Sequence, residues 1–492
     1  MRSLPVLERG RGGGGTRRRV GGVRMGGWTL ETVRDATGAR CVQGDPGLCI
    51  TGVATDSRKV ESGDLFVALR GDRRDGHEFV ESAVASGAVA VLVEAGRLAE
   101  YPAGCAVLEV EDTRAALARW AVAHRGRFGG PVVAVAGANG KTTTKELLAS
   151  VLGRLGPVTA SPASFNNELG VPLTLLRIGR QDRAAVVEVG TNHPGELARL
   201  LGWVRPDHGV FTGVGREHLE FFGDLAGVAR EEGTLAEVLP AGGVLVLNGD
   251  DPWAGEVAAR TRARVIRVGF GAGNGWRVTD VCLDWSGTSF RVETSEPAWC
   301  GRYRIRLLGR HQARNAVLAL ALGRELGVDP AGAAEGLASC GPAPHRMEAF
   351  EVRGVRVLDD AYNANPDSMR AALETFCALP CEGRRVAVLG EMAELGAESE
   401  RAHAEAGRLA AELGVDQLFA VGPWAGVMAA AARSAGLTRV LEFGGVEPVW
   451  GALRQFLRPG DALLLKASRR AGLERVAEFC RGDDGHRAWS II

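Results

Sequence analysis

The stretch Pro131-Val132-Val133-Ala134-Val135-Ala136-Gly137-Ala138-Asn139-Gly140-Lys141-Thr142-Thr143-Thr144 decides how the chain is read. Its apolar opening has no polar interruption, which suits a strand buried on both faces. Two glycines then turn the chain. Lys141 and Thr142 open a segment in which Leu147, Leu148, Val151, Leu152 and Leu155 recur at helical spacing. Strand, glycine loop and helix N-terminus together form a cradle for nucleotide phosphates. Backbone N–H groups face the anion, Lys141 adds a compact positive charge, and the Thr142 hydroxyl can sit on Mg²⁺. Gly137, Ala138, Asn139, Gly140, Lys141, Thr142 and Thr143 are the expected phosphate contacts. Val135 stands where the full pattern has its first glycine, so this is the short GxxGK[ST] form. The alternative is a glycine turn that merely caps a helix.

Outward from the loop, Ala184 to Val189, Gly209 to Thr212 and Val244 to Asn248 are β-rich runs between helical stretches. That alternation implies a parallel sheet covered on both faces. A nucleotide–Mg²⁺ complex needs hard oxygen ligands near the strand ends. Glu188 ends one strand, and His218 follows the next and could reach the same crevice. Their plainer readings are a solvated glutamate and a structural histidine. Gly126 to Pro131 and Gly341-Pro342-Ala343-Pro344 are breaks that set off a small α/β unit before the middle block and an alternating block after it. The earlier unit has strands near 64–69 and 88–93; the later one has strands near 355–359, 385–390, 417–421 and 462–465.

Composition bounds the rest. The chain has 492 residues, beyond the ~250–300 at which a single core stops growing, so three domains are expected. Its 59 basic and 59 acidic residues cancel, which argues against a chain devoted to nucleic acid or an anionic membrane. No apolar run approaches the ~18 residues of a membrane span. Nine scattered cysteines read as reduced thiols in a reducing, cytoplasmic compartment. Residues 1–24 are Gly- and Arg-rich without a secretory apolar segment, and read as a floppy extension before Met25.

The motifs resemble the Mur ligase family of bacterial cell-wall synthesis over nearly the whole chain from about Trp28. They are the loop 137–145, Phe165-Asn166-Asn167-Glu168-Leu169-Gly170-Val171-Pro172 and Asn192-His193-Pro194-Gly195-Glu196. Further on come Asp359-Asp360-Ala361-Tyr362-Asn363-Ala364-Asn365-Pro366, Leu389-Gly390-Glu391-Met392-Ala393-Glu394-Leu395-Gly396 and Lys466-Ala467-Ser468-Arg469. The resemblance implies three α/β domains: a small N-terminal UDP-binding domain (25–128), a central P-loop-type parallel-sheet ATPase (129–340) and a C-terminal Rossmann-like domain (341–492). It also implies the reaction: ATP and Mg²⁺ activate the carboxylate of UDP-N-acetylmuramoyl-tripeptide as an acyl phosphate, which the amine of D-alanyl-D-alanine attacks. A monomer with no nucleic-acid partner and no membrane insertion is expected.

Carried over residue by residue, the resemblance makes Thr142, Glu188 and His218 metal ligands and Asn315 the adenine contact. Arg346 would reach the phosphates from the last domain, and Asp360 the ribose. Ser57 and Arg58 would hold the UDP moiety, with Leu69-Arg70-Gly71-Asp72 and Asp75-Gly76-His77 nearby. Asn166 and Asn167 would hold acidic groups of the substrate, or else form a turn. Asn363, Asn365, Lys466 and Arg469 fall where the dipeptide is expected. The sequence departs from the family at Glu232, where a lysine that becomes a carbamate is usual. Three readings stay open: Glu232 as a permanent stand-in for the carbamate on the second Mg²⁺, Glu232 as a surface residue with only one metal retained, or compensation by Glu231. A shorter side chain must also meet Mg²⁺–oxygen distances of ~2.0–2.1 Å, so the helix shifts inward or a water bridges the gap. Smaller departures are Ala136 for Thr, Gly213 for Asn and Ala467 for Gly. Competing identities are a folylpolyglutamate-synthase-like ligase and an inactive nucleotide-binding scaffold.

Overall fold

A computed structural model describes residues 23–71 and 74–482. Most of the extension expected over 1–24, and Asp72 of the first-domain motif, lie outside them. Val23 and Arg24 do not belong to a loose extension: they open the strand Val23–Thr29, paired antiparallel with Cys49–Ala54. The chain divides into two compact units, one through Arg119 and one from Trp120.

The first unit carries a six-stranded sheet in the order Val23–Thr29, Cys49–Ala54, Asp64–Val67, Ala90–Glu94, Ala106–Val110, Arg40–Gln43. Its four inner strands are parallel and its two outer strands antiparallel. Phe66, Val91, Val93 and Val107 anchor the core on one face.

The second unit holds two sheets. The larger has nine strands, in the order Gly301–Ile305, Gly287–Thr294, Trp276–Asp284, Arg264–Gly269, Val244–Asn248, His208–Phe211, Val132–Ala136, Ala184–Glu188, Val158–Ala160. Strands are parallel from Val158–Ala160 to Trp276–Asp284, as the β-rich runs imply, and each residue of Val132–Ala136 is buried. The helix Lys141–Leu152 lays Leu147, Leu148, Val151 and Leu152 into the same core as Val317 and Leu320 of the helix Arg310–Glu325. Leu155 departs from the expected stripe. The helix ends first, and Leu155 sits in a 3₁₀ turn, Gly153–Leu155, with 37% of its surface exposed. The antiparallel meander at 276–305 is an addition that the alternation of β-rich runs and helices did not disclose.

The last sheet has six strands, ordered Glu348–Val352, Val355–Asp360, Ala462–Lys466, Arg385–Leu389, Gln417–Val421, Val440–Phe443, parallel except at Glu348–Val352. In the nine-stranded sheet Val132–Ala136 lies between Ala184–Glu188 and His208–Phe211. Strand order reverses there, and a crevice opens beyond the carboxyl ends of such strands.

Candidate active site

The three strands at the reversal deliver the loop after Ala136, the carboxylate of Glu188 and the segment from Thr212 to Glu220 to one place. Gly137 has φ +116° and cannot carry a side chain, because a Cβ would meet Thr212 Oγ1 at 2.4 Å. Gly140, at φ +83°, precedes Lys141–Leu152 without a side-chain cap, so the first-turn N–H groups keep their anion-binding character. A Cβ on Gly140 would lie 2.9 Å from Asn315 Nδ2, which places buried Asn315 directly against the loop. Ala138 N–H donates to Gly213 O at 2.8 Å, and Asn139 Oδ1 accepts from Asn365 Nδ2 at 3.0 Å. Thr143 is half-buried in the first helical turn.

Lys141 Nζ curls back to Gly137 O at 2.5 Å and Ala138 O at 3.2 Å, with Glu217 Oε1 at 3.4 Å and Glu232 Oε1 at 4.0 Å. Burial works to lower its pKa, but Glu217, Glu232 and Glu188 outweigh that and raise it. Burial pushes Glu217 up to about 8, Lys141 opposing and Glu232 adding; burial raises Glu232 as well, against Lys141 and the Gly137 N–H. Thr142 Oγ1 donates to Glu188 Oε1 at 3.1 Å, and the same oxygen accepts from Asn166 Nδ2 at 2.9 Å. Lys145, fully buried, holds Ser161 O at 2.7 Å and Ala163 O, and lies 3.5 Å from Glu188 Oε2. Three buried or nearly buried carboxylates thus face two ammonium groups. Glu188 Oε2 and Glu232 Oε1 have no hydrogen-bond donor. Under-satisfied anionic oxygens of this kind fit a hard divalent cation.

The four expected metal ligands do not all stand together. Thr142 and Glu188 are in contact. Glu232 is buried, with Oε2 accepting from Gly137 N–H at 2.6 Å, so it reaches the loop and is not the surface residue of the second reading. Glu231 is engaged elsewhere, accepting from Gly195 N at 2.8 Å and Leu197 N at 2.9 Å. His218 Nδ1 bonds Glu394 of the last sheet's loops. Burial lowers the His218 pKa, with Glu394 opposing.

Arg346 comes from the last sheet's side onto the loop's neighbourhood. Its guanidinium lies 3.9 Å from the Tyr362 ring centroid and donates to Ser164 Oγ at 3.0 Å. Its neighbours His345 (φ +58°) and Met347 (φ +51°) are left-handed. His345 is held by buried Asp359 at 2.8 Å, and Met347 N–H by Asp360 Oδ1 at 3.0 Å. His345, Glu348 and Asp359 form the one cluster of at least three metal-ligand side chains among the described residues. Arg481, 2.9 Å from Glu348, already supplies a positive charge to it.

Several residues expected to touch substrate are engaged within the protein. Asp360 Oδ2 pairs at 2.7 Å with buried Lys466, which also donates to Asn363 O at 2.7 Å. Asn167 Oδ1 accepts from Leu169 N and Gly170 N, the turn reading. Asn365 caps the helix Pro366–Ala378 in a capping box with Ser368. Asn363 is exposed; Arg469 is mostly exposed, 3.2 Å from Glu474 and 5.7 Å from the Tyr362 centroid. In the first unit Ser57 is buried, opening a short turn, and exposed Arg58 folds onto Asp56 at 2.8 Å. His77 is a tie in the fold: its Nδ1 meets Asp75 Oδ1 at 2.6 Å and its Nε2 accepts from Glu94 N at 2.9 Å. Sequence reasoning passed over Lys145, Glu217, Ser164 and Tyr362. Lys145 was legible as a charge three and seven residues before Leu148 and Leu152, on the buried stripe.

A phosphate loop on a parallel sheet, met by an arginine from a second parallel sheet, defines a nucleotide-dependent α/β protein with three sheets. The chain belongs to the Mur ligase family. The model of the Mur ligase middle domain matches residues 135–323, that of the Mur ligase, glutamate ligase domain 345–469, and that of the Mur ligase family, catalytic domain, 49–125. Among its relatives, the UDP-N-acetylmuramoyl-tripeptide–D-alanyl-D-alanine ligase of Bacillus subtilis is 34% identical over 87% of this chain and 93% of its own. That of Mycobacterium tuberculosis H37Rv is 38% identical over 88% and 93%. The crystal structure of MurF from Acinetobacter baumannii superposes with a TM-score of 0.81 at 31% identity, covering 93% of this chain and all of that one. MurF from Thermotoga maritima in complex with ADP gives 0.75 at 29% identity, covering 89% and 98%.

Proposed function

We propose that this chain is an ATP-dependent amide ligase that extends UDP-N-acetylmuramoyl-tripeptide with D-alanyl-D-alanine, releasing ADP and phosphate. The observation that carries the reading is the uncapped helix start at Lys141, set beside donor-poor Glu188 and Glu232. A carboxylate does not condense with an amine until one of its oxygens becomes a leaving group. The γ-phosphoryl of ATP therefore passes to the tripeptide's terminal carboxylate. The dipeptide amine adds to the acyl carbon, and phosphate departs from the tetrahedral intermediate. Catalysis is chiefly positioning and charge neutralisation.

Lys141 and the first helical turn hold the transferring phosphates, Arg346 neutralises charge from the far side, and Asn315 backs the loop on the nucleotide side. Thr142, Glu188 and His218 would hold Mg²⁺ and Glu232 would serve a second Mg²⁺, so that phosphate charge is offset. Ser57 and Arg58 serve the UDP end. Asn166 orients Glu188, and exposed Asn363 and Arg469 are the side chains left to meet the dipeptide. The parts end near 128 and 340, each with its own sheet. Cysteines scattered along the chain suit a cytoplasmic enzyme, and among the described residues no helix is long and apolar enough to cross a membrane.

Phosphate release from ATP that requires both UDP-N-acetylmuramoyl-tripeptide and D-alanyl-D-alanine is the expected result. Release that responds instead to a folate and glutamate, or no release at all, overturns it.

A further inference from the structure

Glu394 lies in the segment Leu389–Gly396, which continues the strand Arg385–Leu389 of the last sheet. Glu394, left-handed at φ +61°, turns its carboxylate onto Nδ1 of His218, itself left-handed at φ +51°. A second bond runs beside it, Glu220 N–H to Glu394 O at 3.3 Å, and a Cβ on Gly396 would rest 3.4 Å from Glu220 Cα. Two strained residues from different sheets are thus matched at one point, with the backbone holding the match. A carboxylate offers only acceptors, so in the neutral imidazole the proton is on Nδ1 and the lone pair on Nε2. A second group that holds the far nitrogen in this way is what orients a metal-binding histidine.

We propose that Glu394 is a positioning residue for His218: from the C-terminal sheet it fixes the imidazole in the Nδ1–H tautomer, so the metal-binding form of His218 is assembled only when that sheet is docked beside the phosphate loop. The inference rests on the reading of His218 as a magnesium ligand. It makes the loop that carries Glu394 part of the metal site without touching the metal.

The test uses the full chain with ¹⁵N-labelled histidine. In the unliganded protein the His218 side chain should show a protonated Nδ1 and a bare Nε2. Glu394→Ala should lose that signature, and Glu394→Gln should keep it, since the amide oxygen still accepts. The magnesium concentration for half-maximal phosphate release should rise about tenfold or more in Glu394→Ala, with KM for D-alanyl-D-alanine nearly unmoved and the Gln variant restored toward the parent. An Nδ1–H signal that persists in Glu394→Ala overturns the assignment. So does an unchanged magnesium requirement there when His218→Ala has raised its own. If His218→Ala leaves the requirement unchanged, the metal reading of His218 falls, and this inference with it.

Discussion

Glu232 reaches the phosphate loop without the length of a lysine. Its backbone ends the helix Leu225–Glu232, and its carboxylate takes the Gly137 N–H at 2.6 Å while lying 4.0 Å from Lys141. Glu232→Ala should therefore lower phosphate release at least about tenfold, and Glu232→Gln, which keeps the shape and removes the charge, should fall with it. Stripping bicarbonate from the assay should leave the parent rate unchanged, because no carbamate has to form. Full turnover in Glu232→Ala would refute the metal-ligand role. Thiol reactivity checks burial at the same scale. Desolvation pushes Cys105 and Cys377 up to about 11 and Cys340 to about 12. At pH 8 these three should resist iodoacetamide while exposed Cys49, Cys282 and Cys300 are alkylated. Peptide mapping after timed labelling reads the order.

The helix Pro366–Ala378 shows how one side chain serves an element and a site together. Asn365 accepts from Ser368 N as N-cap and donates to Asn139 in the loop. Asn365→Ala should cost about 1 kcal/mol in urea unfolding. Asn365→Asp keeps the cap but loses the donor to Asn139, so its stability should hold while KM for ATP rises. If both variants lose equal stability and neither alters KM, the loop contact is idle. In the sequence, Asn365 sat in a motif that pointed to substrate. The motif could not say which role the amide plays, because the answer lies in Asn139, more than two hundred positions earlier. The meander at 276–305 was hidden for another reason. Along Trp276–Asp284 a register shift between Thr279 and Cys282, with Asp280 left-handed at φ +48°, breaks the two-residue period that would mark a strand.

Across the second unit, the central and last sheets are joined by an ion-pair latch. Arg216 donates through its backbone N–H and Nε to Asp367 at 2.7 and 2.9 Å, and through Nη1 to Glu405 at 2.9 Å; Arg370 meets Glu405 at 2.5 Å. The hydrogen bond from Arg216, more than any other influence, holds Glu405 at about 2, well below its ordinary 4.5. Because the folded value is depressed, the stabilisation is present above about pH 4.5 and fades as pH falls through about 2. The stability gap between the parent and Glu405→Gln should therefore be largest near neutrality, narrow below pH 4.5 and close near pH 2. Thermal melts across that range measure it; a gap independent of pH would remove Glu405 from the latch. Added salt should narrow the gap at neutral pH, since both side chains keep part of their surface in water.

What could be read from the residues alone was whatever depends on neighbours along the chain. The apolar run before Gly137, the glycine turn, the helix after Lys141 and the alternation behind a parallel sheet all follow from backbone sterics and local periodicity. Those forces act over a few residues. Folding decided which distant charges meet. It put Glu232 on Gly137, Lys145 beside Glu188, Glu217 on Lys141 and Glu394 on His218, and it tied His77, Asn167 and Lys466 into the framework. Coulombic and hydrogen-bond energies depend on separation in space and on exclusion of water, and neither quantity exists until the sheets have packed.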